Sequence, residues 1–152
     1  MTTKKQQILD RLEKAYAMEL ETAINYLAES INLDGVRAEE IKKALAADIQ
    51  GEIGHAQRIG NRIKQLGGTV PGSLNLNFDQ KPMQPSNDST DVVSVIKGVI
   101  GTEQDAIRNY NALIKICEGE DYVTQSLCIE TLAEEEGHLT MFNGFLKEYE
   151  RK

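Results

Sequence analysis

Residues 69–87 read TVPGSLNLNFDQKPMQPSN and hold all three prolines of the chain. The stretch has no helical period, and its Gly, Pro, Ser and Asn residues favour turns. On either side the pattern changes. Apolar residues recur at three- and four-residue steps through two long segments before it and two after it, as in amphipathic helices. The first, about 4–32, carries Ile8, Leu12, Ala15, Ala23 and Tyr26. The second, about 38–66, carries Ile41, Leu45, Ile49, Ile59 and Ile63. The third, about 89–118, carries Val92, Ile96, Val99, Ile107 and Tyr110, and the fourth, about 122–150, carries Leu127, Thr131, Phe142 and Leu146.

The breaks between segments are turn-like. Leu33-Asp34-Gly35 ends the first, Gly67-Gly68 closes the second as a glycine cap, and Glu118-Gly119-Glu120-Asp121 separates the last two. Asp88 and Ser89 offer N-caps to the third. Two short connections flank one long one, about 67–88. At ~3.3 Å per extended residue that connector can cross a helix of ~40 Å. The reading is an all-α four-helix bundle of two antiparallel pairs joined by one long crossover, a single domain over residues 1–152.

Composition agrees and narrows the function. Hydrophobic residues make up 40% of the 152, aromatics only 5%, and the net charge is −7. An acidic chain lacks the basic patch that nucleic acids and anionic membranes require, so neither is expected as a partner. Lys4 and Lys5 are not followed by an apolar segment, and no apolar run approaches the ~20 residues of a membrane span. A cytoplasmic protein is expected. Cys117 and Cys128 fall at staggered places on adjacent helices and are read as two small buried thiols rather than a disulfide.

On each apolar stripe one core position is a glutamate: Glu19, Glu52, Glu103 and Glu135. Four buried, unneutralised carboxylates would cost ~10 kcal/mol or more, comparable to the whole stability of a domain. No Lys or Arg shares the middle of these stripes. The two histidines of the chain each lie three residues after a stripe glutamate, as Glu52-Ile-Gly-His55 and Glu135-Glu-Gly-His138. Residues three apart share a helix face. The arrangement is also repeated: Tyr26 follows Glu19 by seven positions and Tyr110 follows Glu103 by seven, and the spacings Glu19–Glu52 and Glu103–Glu135 differ by one residue. Two copies of Glu, then Glu-x-x-His, would meet at mid-bundle. Two divalent cations would balance four carboxylates, with neutral imidazoles completing the coordination. Oxygen and imidazole ligands suit iron or manganese. Tyr26 and Tyr110 are placed to donate hydrogen bonds to ligand carboxylates. Glu134, four before His138, shares its face and competes with Glu135; the repeated spacing favours Glu135. Glu13, Glu21, Glu29 and Glu136 are expected on solvated faces.

These segments, with Glu19-Leu-Glu-Thr-Ala-Ile-Asn-Tyr26 on the first helix, resemble the ferroxidase centre of bacterioferritins and related Dps-like ferritin-family proteins. The resemblance covers nearly the whole chain and implies a ferritin-like bundle with two iron ions per subunit. Glu19 and His55 would serve one iron, Glu103 and His138 the other, and Glu52 and Glu135 would bridge them. It also implies the activity: Fe(II) is oxidised to Fe(III) by O2 or H2O2, and mineral is stored in a hollow homo-oligomer. Bacterioferritins bind haem through a methionine just after the second-helix glutamate; here that residue is Ile53, so no haem is expected. The chain ends soon after His138 without room for the fifth helix of bacterioferritins, which favours a 12-subunit shell or another assembly over 24 subunits. Two rival readings are a rubrerythrin-like peroxide reductase and a non-catalytic metal-binding bundle. Rubrerythrins place an extra glutamate three residues after the third-helix ligand, where this chain has Ala106.

Overall fold

The computed structural model describes residues 2–151. Its helices are α1 (Lys4–Asn32), α2 (Glu39–Gln65), α3 (Val92–Cys117) and α4 (Tyr122–Tyr149), with 3-10 turns at Val36–Ala38 and Ser73–Asn75. There is no strand among the described residues. α1 packs along α2 and α3 along α4, and the two hairpins meet chiefly through α1 and α3. α2 and α4 touch at few points. No helix among the described residues is long and apolar enough to cross a membrane.

Local chemistry sets the helix ends. Thr3 caps α1 by accepting from the Gln6 amide at 3.1 Å. α2 ends with Gly67 at φ 87°, the Gly67 amide on the Lys64 carbonyl and the Gly68 amide on the Ile63 carbonyl. That is a Schellman cap, which needs a residue free to adopt positive φ. α3 starts later than Asp88 or Ser89, and its cap is Asp91, which accepts from Ser94 N at 3.1 Å. Asp88 is instead occupied by the amide and hydroxyl of Thr90, which turn the chain once more before the helix begins. At the start of α4, Asp121 accepts from Thr124 N, and Arg62 of α2 bonds both Asp121 and the Thr124 hydroxyl at 2.9 Å. One clamp thus joins the ends of two hairpins.

The crossover is anchored by side chains of α1. Glu21 accepts from the Asp79 and Gln80 amides at 3.0 and 2.8 Å, and the Gln80 side chain bonds Thr22 and Asn25. Glu21 and Glu29 are therefore not on solvated faces: both are buried. Glu21 is drawn inward because extended backbone crossing a bundle presents amides that must find acceptors. Farther along the crossover, Met83 is fully buried. Beside it the chain lies so close to α3 that a Cβ on Gly98 would sit 2.4 Å from the Pro82 carbonyl oxygen. Gly98→Ala is expected to destabilise the fold by roughly 1–3 kcal/mol, read as a lower urea midpoint. Gly101→Ala is the control: its nearest neighbour would be Pro82 Cβ at 4.0 Å, so the helix-favouring substitution should cost nothing.

The core is split in two. One apolar cluster includes Leu12, Ile59, Ile63, Tyr110, Leu113 and both cysteines; the other includes Tyr26, Ile41, Leu45, Ile96, Val99 and Phe142. Cys117 and Cys128 are free and buried, and burial pushes their thiols up to about 11 and about 12. Between the clusters lies a layer of buried carboxylates.

Candidate metal centre

Each helix contributes one glutamate to that layer, and Glu19, Glu52, Glu103 and Glu135 are all at most 3% exposed. Helical pitch puts His55 one turn beyond Glu52 and His138 one turn beyond Glu135, on the same inward face. Two groups of donor atoms result. Those of Glu19, Glu52, His55 and Glu135 all lie within 4.8 Å of one another, as do those of Glu52, Glu103, Glu135 and His138. Glu52 and Glu135 belong to both.

Both histidines point the same way. His55 Nδ1 lies 3.1 Å from Glu135, 3.3 Å from Glu19 and 3.7 Å from Glu52. His138 Nδ1 lies 3.5 Å from Glu52 and 3.6 Å from Glu103. Each Nε2 faces a carboxylate outside the layer. For His55 it is Glu134, which Arg58 approaches at 3.6 Å. For His138 it is Asp48, at 3.7 Å. An acid behind a histidine fixes the ring tautomer and aims the other nitrogen inward.

The tyrosines cross the bundle reciprocally. Tyr26 of α1 donates to Glu103 of α3, and Tyr110 of α3 donates to Glu19 of α1, both at 2.6 Å. Burial and the neighbouring carboxylates raise both phenols well above their ordinary range, so they stay protonated donors.

Electrostatically the layer is strained. Burial, then the charge of Glu19, raises Glu52 well above the carboxylate range; burial and Glu135 push Glu103 up to about 8. Burial would raise Glu19 too, but hydrogen bonds from Glu52, His55 and Tyr110 outweigh it and lower it. Burial would lower His55, yet Glu135, Glu19 and Glu52 together raise it. His138 is raised to about 9, chiefly by Glu103. Even so, both oxygens of Glu52, Glu103 Oε2 and His138 Nδ1 are buried with no hydrogen-bond partner in the protein. Buried polar atoms without partners are rare in folded proteins. Here they converge on one space, and the donor set of carboxylate oxygens and imidazole nitrogens matches first-row divalent metals.

Glu135 and Glu134 take different places. Glu135 is 1% exposed and lies in both donor groups, whereas the Glu134 side chain is 49% exposed and meets Arg58 and the outer edge of His55. Sequence reasoning passed over Asp48. Its signal was its position four residues before Glu52, on the same helix face.

A four-helix bundle with two overlapping carboxylate–histidine groups at its middle, able to hold metal, has the architecture of the ferritin-like carboxylate bundles. Residues 9–152 match the ferritin-like domain, and the chain belongs to that family. A bacterioferritin from Desulfovibrio desulfuricans is 29% identical over 141 residues, spanning 91% of this chain and 74% of the relative. The crystal structure of that organism's bacterioferritin, described with a diiron site in different catalytic states, aligns with TM-score 0.79 at 25% identity over 95% of this chain and 80% of its own. Two further structures share the fold: a ferritin-like diiron-carboxylate protein from Bacillus anthracis (TM-score 0.84, 19% identity, 96% of this chain and 99% of that one) and a dodecameric thioferritin, a bacterioferritin-related protein from Bacteroides fragilis (0.83, 24%, 97% and 88%).

Proposed function

We propose that the chain is a ferroxidase that binds two Fe(II) ions per subunit and oxidises them with O2 or H2O2 for iron storage or detoxification. The observation that carries this reading is the pair of donor groups sharing Glu52 and Glu135, with buried oxygens that no protein group satisfies. Glu19 and His55 would hold one ion, Glu103 and His138 the other, and the two shared carboxylates would bridge them. Paired iron supplies two electrons to one molecule of oxidant.

The chain's own residues do the rest. Tyr26 and Tyr110 hold Glu103 and Glu19 in fixed rotamers through their hydroxyls. Glu134 and Asp48 hold the outer nitrogens of the histidines. The two apolar clusters exclude water above and below the layer. Of the six candidate ligands His138 is the most exposed, its side chain 20% exposed against at most 3% for the others, and iron and oxidant would enter past it. Ala106 sits buried where a rubrerythrin-like reading needs a further carboxylate, which favours the ferroxidase.

An apolar row on α1, Ile24, Leu27 and Ile31, is about half exposed or more. Such a row fits a subunit contact, and we infer a homo-oligomer, with the dodecameric relative pointing to 12 subunits over 24. No haem role is proposed, because Ile53 offers no thioether ligand.

The test is an anaerobic Fe(II) titration of metal-free protein, followed by mixing with air or peroxide, beside a Glu52→Ala/His55→Ala chain. Two Fe(II) bound per chain and rapid oxidation, both lost in the double variant, are expected. Absent stoichiometric binding, or binding without oxidation, would sink the reading. Light scattering should give the mass of twelve chains of 16.9 kDa, and a monomer would remove the shell.

A further inference from the structure

Near the end of α1, away from the central layer, Glu29 is 3% exposed and its Oε1 has no hydrogen-bond partner in the protein. Desolvation raises its carboxyl from the ordinary value. Glu29 forms part of the wall of a groove of about 210 Å³ between the α1 terminus and the segment leading into α3. Asn32, Ser86, Asp88 and Ser89 line the same groove, and no Lys, Arg or His does. A second cavity of about 10 Å³ opens off Glu29 beside Gln84, Ser86 and Ser94.

We propose that this groove is a binding site for a hard divalent cation of the Ca2+ type, with Glu29 and Asp88 as its charged ligands. Three features carry the proposal. First, Glu29 Oε1 is buried with no partner, and the groove holds no cationic side chain that could satisfy it, a place a bound cation would take. Second, every polar side chain in the groove offers oxygen, the donor hard cations take in sets of six to eight, with water filling the remainder. Third, the segment is already folded for the task. Asp88 Oδ1 is engaged by Thr90 at 2.9 and 2.6 Å, so Oδ2 remains available. Ser86 Oγ accepts from the Asp88 amide at 3.1 Å, and Ser89 is tied to Asp34 through its carbonyl and its hydroxyl. The adjoining last turn of α1 has no basic residue, so its negative dipole end is also uncompensated. The N-terminus of α3 nearby is already capped by Asp91.

The site owes nothing to the central layer, and its test keeps the two apart. Ca2+ is titrated calorimetrically into a full-length chain carrying Glu52→Gln and Glu135→Gln, which removes both shared carboxylates of the centre. One Ca2+ per chain is expected, at the roughly 0.1–1 mM affinity of sites with few charged ligands. Adding Glu29→Gln, of the same shape, should weaken binding at least ~10-fold, and Asp88→Asn severalfold. In thermal melts Ca2+ should raise the midpoint of the background chain and leave that of the Glu29→Gln chain unmoved. The proposal is overturned by no saturable binding up to about 10 mM Ca2+. Unchanged affinity in the Glu29→Gln chain would overturn it equally, since Glu29 would then be an ordinary protonated carboxyl.

Discussion

A Glu135→Gln chain should bind neither of two Co(II) ions stoichiometrically, whereas a Glu134→Ala chain should bind both, with affinity lowered about 10–100-fold. Co(II) reports coordination by its visible spectrum and does not react with air on the timescale of a titration. The contrast follows from position. Glu135 is a member of both donor groups, so losing its charge weakens both sites together, by on the order of 100-fold or more. Among the candidate ligands Glu134 reaches the outer nitrogen of His55 alone and acts by positioning that ring. The same substitutions should differ in the metal-free state. Glu135→Gln removes the carboxylate nearest His55 Nδ1, at 3.1 Å, and should destabilise the metal-free chain by on the order of 3 kcal/mol, as breaking a buried pair does, whereas the half-exposed Glu134 should cost less. If Glu134→Ala abolished binding and Glu135→Gln did not, the assignment of roles would be reversed.

Much of this was legible in the sequence because helix geometry is periodic. Apolar spacing placed four helices, and a glutamate interrupting each stripe at the same depth marked the layer. Glu-x-x-His reads directly as one helical face, so His55 and His138 could be assigned inward without coordinates. Tertiary chemistry was harder to read. Glu21 looks like a surface residue on α1, and only the crossover's unpaired amides at Asp79 and Gln80 explain its burial. Asp48 and Glu134 act across the gap between α2 and α4, and nothing in either helix's own pattern says which acid faces which histidine. The α3 boundary was misplaced for a similar reason. Asp88 is a good cap by type, but Thr90 claims it first, leaving the role to Asp91. α4 shows how weak the apolar signal becomes when a helix lines a polar site: its buried residues are Thr124, Cys128, Thr131, Glu135 and Phe142.

The second large effect is on pH dependence. Metal-free protein should lose stability as pH rises from about 6.5 to 9, and bound metal should flatten that loss. In the metal-free fold Glu103 titrates at about 8 instead of 4.5, so between those values the folded chain keeps a proton that the unfolded chain has released. Stability then falls with rising pH. Glu52, also raised, acts in the same direction. His138 titrates at about 9 rather than 6.5. Its contribution is complete below 6.5 and is lost as pH climbs through 9. Glu19 has the opposite sign, but a depressed carboxylate changes stability only at pH below its ordinary value of 4.5, outside this window. Because these groups share one cluster, their effects do not add. A total loss on the order of 3–5 kcal/mol is expected. Metal reverses the logic, since it takes deprotonated carboxylates and neutral imidazoles and must expel the protons that the empty layer holds. Melting midpoints at pH 6.5, 7.5 and 8.5, with chelator and with Co(II), measure the two slopes, and a weakly buffered titration detects the released acid. Glu103→Gln should flatten the metal-free slope. A metal-free midpoint that rises across this range would show that the four glutamates are neutralised by something other than protons and the two histidines.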